Sequence, residues 1–143
     1  MEEMEQRVWQ RVRAEQEQVQ NSTMKAMALA SMEAAGRYRT MHGKSNGKIR
    51  ELTGKLWEQE QEILKCLKGL YRLQEGARLR CGPAPIPEQT GGNEQIRWYH
   101  NARRAHMEYM SRAAEPEWGI VFQQLAEMQK KQCVLLTQLV GMV

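Results

Sequence analysis

Residues 48–74, KIRELTGKLWEQEQEILKCLKGLYRLQ, decide the fold class. Ile49, Leu52, Leu56, Ile63, Leu67 and Leu70 fall at steps of three, four or seven, which places them on one side of a helix. Most residues between them are charged or polar. Glu60 sits in the middle of the apolar stripe, and Gly76 follows as a stop signal. A long amphipathic helix with a carboxylate inside its buried face predicts an all-α protein with a polar layer in its interior.

The flanking sequence predicts more helices of the same kind. Residues 2–20 place Met4, Val8, Val12 and Val19 on one side with Trp9 beside them, as an N-terminal helical arm. Asn21, Ser22 and Thr23 offer capping side chains and a break. A second helix over about 23–41 carries Met24, Met27, Ser31, Ala34, Tyr38 and Met41, and ends at Gly43. After the stretch at 48–74, residues 77–92 read as a crossover loop. Pro83, Pro85 and Pro87 at alternate positions favour an extended path there. Asn93 caps a helix over about 94–114, and Pro116 opens a last one with Phe122, Leu125, Gln129, Gln132, Leu136 and Leu139 in one stripe. The expected order is an arm (1–20), a hairpin (23–76), a crossover (77–92) and a second hairpin (93–143), together one domain of 143 residues.

Composition agrees with this order and removes several function classes. Four prolines, nine aromatic residues and ten methionines favour helices over a sandwich or barrel. No apolar run approaches the roughly 20 residues that span a bilayer, and the acidic start Met1-Glu2-Glu3-Met4-Glu5 argues against a secretory leader, so a cytoplasmic protein is expected. The net charge of +4 is spread along the chain without a strip of alternating basic and aromatic residues, so no nucleic-acid partner is expected. Three cysteines without paired spacing argue against a disulfide framework or zinc knuckle. Cys66 and Cys133 fall in equivalent regions of the hairpins and are expected near the interior, and the methionines (Met107 and Met110 among them) are expected to fill core gaps. Histidine is limited to His42, His100 and His106.

The two hairpins repeat one another. Ala34-x-x-x-Tyr38 corresponds to Ala105-x-x-x-Tyr109, and Leu56-x-x-x-Glu60 with Leu67 corresponds to Leu125-x-x-x-Gln129 with Leu136. With this repeat, and in the segments 56–76 and 122–136 together with the opening Val8-Trp9-Gln10-Arg11-Val12, the chain resembles the ferritin-like superfamily, in particular small bacterial rubrerythrin-like proteins. The resemblance implies a ferritin-like four-helix bundle, two hairpins joined by a long crossover, with an extra N-terminal helix. It also implies a di-iron centre to which each hairpin gives one Glu from its first helix and a Glu-x-x-His from its second. Carried over position by position, the first-helix Glu falls on Ser31 and Ala102. The Glu-x-x-His falls on Glu60 and Ile63 in one hairpin, and on Gln129 and Gln132 in the other. Only Glu60 keeps the expected residue type. Glu33, Glu58, Glu62 and Glu127 are turned away from these stripes and do not replace the missing ligands.

Glu60, Gln129, Gln132 and Ser31 thus predict a hydrogen-bonded polar layer, because buried polar groups without partners are costly. One reading is a satisfied core network that fixes helix register; the other is a small-ligand or residual cation pocket formed by Glu60, Gln129 and Gln132. His106, one turn from Ala102, either joins that pocket or is an ordinary histidine near the surface. No catalytic residue and no metal or other cofactor is expected. The function expected is a non-catalytic, metal-free helical bundle acting as a structural or interaction module, most simply a homodimer, with the N-terminal arm burying its apolar side either on the bundle or on a second copy. The alternative is a rubrerythrin-like di-iron oxidoreductase or peroxide scavenger with an atypical iron site.

Overall fold

A computed structural model describes residues 2–79 and 94–143, with the backbone alone for residues 2, 3 and 12–22. The described residues form four helices and no strand: α1 (Glu2–Lys44), α2 (Gly47–Glu75), α3 (Glu94–Arg112) and α4 (Gly119–Met142). The all-α class expected from the 48–74 stretch is therefore present. None of these helices is long and apolar enough to cross a membrane.

Helix α1 differs from the sequence expectation. The chain passes through Asn21, Ser22 and Thr23 without a break, so the arm and the first hairpin helix are one helix of 43 residues. Asn, Ser and Thr permit a cap but do not impose one; without Gly or Pro there, nothing removes a hydrogen bond from the ladder. At 1.5 Å per residue α1 is about 65 Å long, against about 44 Å for α2, so its N-terminal part runs beyond its neighbour. Met4, Val8 and Trp9 are 75%, 61% and 69% exposed, so they are not buried against the rest of the chain as one form of the arm reading required. The side chains of Val12 and Val19 lie outside the described residues, as do Cys81, Asn93 and nearly all of the 77–92 crossover.

The turn between α1 and α2 is short and locally closed. Gly47 has φ +62°, the left-handed region that glycine enters without strain. The Arg50 guanidinium donates to the His42 carbonyl (3.1 Å), and His42 Nδ1 donates to the Arg50 carbonyl (2.9 Å). At its other end α2 stops where the sequence indicated. Gly76 has φ 71° and its N–H donates to the Arg72 carbonyl at 2.8 Å.

Helix α4 begins at Gly119, three residues after the expected start at Pro116. A Cβ on Gly119 would lie 2.5 Å from the Ala113 carbonyl oxygen, so the short turn between α3 and α4 folds back tightly onto Gly119 and only glycine fits. The helix starts where this turn closes, a fit between Ala113 and Gly119 that the Pro116 signal alone does not encode.

Helices α1 and α2 pack along one another, α3 and α4 do likewise, and α2 against α4 joins the two pairs. Two apolar clusters result. One holds Met24, Ala28, Ile63, Leu67, Leu70, Tyr109, Phe122 and Leu125; the other holds Tyr38, Leu52, Leu56, Trp98, Ala102, Leu136 and Leu139. Between them, in chain order on three helices, come Ser31, Glu60, Gln129 and Gln132, all buried. The apolar stripes thus hold the helices together on either side of one polar layer. Cys66, by contrast, is exposed and Cys133 half-buried, while Met107 and Met110 are 64% and 57% exposed. Neither of the last two fills the core, because both lie off the Trp98–Ala102–Tyr109 line that α3 buries.

Candidate functional site

The polar layer is built from side chains one or two turns apart. Glu60 is placed by Leu56 and Ile63, which are fully buried on the same face of α2 and fix that face inward. On α4, Leu125 and Leu136 do the same for Gln129 and Gln132. The Gln132 amide nitrogen donates to Glu60 Oε2. Its carbonyl oxygen accepts from the Gln129 amide at 2.9 Å and from the Tyr38 hydroxyl at 2.9 Å. An ionised carboxylate only accepts, so the direction of every bond in this chain follows from Glu60.

Burial is the dominant influence on the Glu60 carboxyl, raising its pKa from 4.5 to about 6; the bond from Gln132 and the nearby Ser31 hydroxyl pull it partway back. Among the described residues no cationic side chain forms an ion pair with it. Burial and then the Glu60 charge hold the Tyr38 and Tyr109 phenols protonated, both above the ordinary tyrosine range. Ser31 Oγ, although close enough to influence Glu60, makes no hydrogen bond of full geometry, and neither does Trp98 Nε1; both atoms are buried.

Above this layer lies a cavity of about 510 Å³ between α1 and α3. Its origin is legible in the residues. Ala26, Ala30 and Ala34 on α1 face Ala102 and Ala105 on α3, and side chains this small do not fill the space between the helices. Glu60, Gln129 and Gln132 line its inner end, and Tyr38, Trp98 and Tyr109 supply aromatic surface. Tyr38 and Trp98 meet edge to face at 5.5 Å. Glu33, Arg37, Arg104 and Glu108 line it as well. All four are tied to neighbours on their own helix: Arg37 lies 3.8 Å from Glu33, Arg104 donates to Asn101 at 3.2 Å, and Glu108 accepts from Arg112 at 2.9 Å.

Of the positions named from sequence, the structure brings Ser31, Glu60, Ala102, Gln129 and Gln132 to this one cavity; Ile63 is buried but packs in the apolar cluster next to it. His106 is not among the lining residues. It is turned about 40° from Ala102 on α3 and lies half-buried beside the cavity line. Glu58, Glu62 and Glu127 are exposed and point away, and Glu33 is exposed toward the cavity mouth. Tyr38, Trp98 and Tyr109 were not singled out as site residues by the sequence. A signal for them exists: each tyrosine follows Ser31 or Ala102 by seven residues, and Trp98 precedes Ala102 by four, so all three share the inward faces of those positions.

The iron pair that the resemblance implies does not fit these residues. One carboxylate, two amides and a hydroxyl are a poor donor set for iron, and Ile63 and Ala102 donate nothing. Among the described residues no group of three or more His, Cys, Asp or Glu side chains converges. Comparison with protein-family models, with curated proteins and with solved structures gives no match to this chain.

Proposed function

We propose that this chain is a non-catalytic, metal-free helical module of the ferritin-like kind, in which the position of a di-iron centre has become a small-molecule pocket. The observation that carries the reading is the cavity of about 510 Å³ that opens onto Glu60, Gln129 and Gln132. Its volume lies in the range of small-molecule sites, and its lining, mostly apolar with a few convergent polar groups, has their usual character. Trp98 Nε1, buried and without a partner among the described residues, is the kind of group a pocket leaves for its ligand to satisfy. The pairing of α1 with α2 and of α3 with α4 is in keeping with the ferritin-like arrangement.

Elemental analysis of the full chain, expressed with added iron and purified without chelators, tests the metal-free part. The expected result is no stoichiometric iron; two irons per chain would support the oxidoreductase reading instead.

A second proposal, self-association, rests on Met4, Val8 and Trp9, which form an exposed apolar group on the part of α1 that outruns α2. A second copy of the chain would cover it. Size-exclusion chromatography with light scattering should give a dimer for the native chain and a monomer for Trp9→Glu; a monomeric native chain rules the dimer out.

A further inference from the structure

The cavity carries more information than its volume, because its polar groups are not balanced. Glu60 is 3% exposed and receives a hydrogen bond from Gln132 at one oxygen only, Oε2. Of the donors near it, the Tyr38 hydroxyl and the Gln129 amide both go to the Gln132 carbonyl oxygen, and the Ser31 hydroxyl, which also favours the ionised form, is neutral and makes no hydrogen bond of full geometry to it. The two arginines that line the same cavity are held at its α1 and α3 walls by Glu33 and Asn101. A buried carboxylate without a cation is costly to ionise, so the missing partner is a positive charge with N–H donors. Around that position stand the rings of Tyr38, Trp98 and Tyr109. Aromatic faces attract cations and accept apolar bodies, so they favour the same kind of guest. The alanines of α1 and α3 leave room for a ring or alkyl body beyond the charge.

We propose that the cavity between α1 and α3 binds an organic ammonium ion, a primary amine with an aromatic or alkyl body, whose nitrogen pairs with Glu60 and whose body lies against Tyr38, Trp98 and Tyr109. This rests on the small-molecule reading of the pocket and gives it a ligand class. The ammonium donates to the free Glu60 oxygen and to Ser31 Oγ.

Isothermal titration of the full chain with three probes of nearly equal shape tests this: phenethylamine (cationic), phenethyl alcohol (neutral) and 3-phenylpropionate (anionic). Phenethylamine is expected to bind more tightly than the alcohol by about tenfold or more, the effect of one buried charged hydrogen bond, and the propionate to bind least. Glu60→Gln should remove that preference, leaving amine and alcohol equal. Ala105→Leu, which fills the cavity and leaves Glu60 in place, should abolish binding of both while circular dichroism remains helical. Equal binding of amine and alcohol by the native chain, or an unchanged amine preference in Glu60→Gln, overturns the ammonium assignment and leaves the pocket reading standing. Absence of binding by all three probes overturns both.

Discussion

Replacing Glu60 with Gln removes a buried charge while keeping the shape and the acceptor that Gln132 uses. The Glu60 pKa rises from 4.5 to about 6 on folding, and the cause is burial. A carboxyl with a raised folded pKa holds its proton more readily in the folded chain. Its contribution to stability is therefore greatest below about pH 4.5 and is lost as pH rises through about 6. The size of that loss is about 2 kcal/mol. Around Glu60 stand Ser31 and Tyr38 from α1, Tyr109 from α3, and Gln129 and Gln132 from α4; the charged residues lining the cavity are Glu33, Arg37, Arg104 and Glu108. All of these are common to both proteins, so their titration cancels in a difference. Urea unfolding of the native chain and Glu60→Gln at pH 4, 5, 6 and 7 measures it. Relative to the native chain, the variant should gain about 2 kcal/mol between pH 4 and pH 7, most of it between pH 4.5 and 6. A difference that stays flat within about half a kcal/mol, or that favours the native chain as pH rises, would refute burial as the dominant influence.

Core and backbone substitutions give further expectations. Phe122 is fully buried between Tyr109 and the α2 stripe, so Phe122→Ala should cost about 3–5 kcal/mol in urea unfolding. Gly119→Ala should destabilise by about 1–3 kcal/mol, because its Cβ would meet the Ala113 carbonyl oxygen at 2.5 Å, which is backbone and cannot turn aside. Gly69→Ala, on an exposed face of α2 with nothing within 4 Å of the added Cβ, should instead stabilise by about 0.5–1 kcal/mol. Opposite signs for the two glycines in thermal unfolding are the result to look for.

How much of this could be read from the chain depends on how local each signal is. The 48–74 stripe and its Gly76 stop are local, and α2 follows them closely. The polar layer is nearly local: four residues on helical stripes indicated it, and three of them meet in hydrogen bonds. The continuity of α1 was not legible because Asn21, Ser22 and Thr23 are compatible with a cap and with a helix interior alike. The start of α4 was missed for a different reason. Pro116 is a good local signal, but the close approach of Gly119 to Ala113 outweighs it. The cavity was out of reach because it is a property of a pair. Alanines on α1 and alanines on α3 look like ordinary helix formers until the two helices face each other.

The indole N–H of Trp98 offers the most direct reading of the pocket, since it lines the cavity, is buried and has no acceptor among the described residues. In a ¹H–¹⁵N spectrum of the labelled full chain, with the Trp98 signal assigned by Trp98→Phe, phenethylamine is titrated to saturation. A ligand seated between α1 and α3 should move the Trp98 signal and leave that of Trp9, far along α1, in place. A Trp98 signal that does not move at saturating amine, or that moves no more than Trp9, would contradict a ligand site above Glu60.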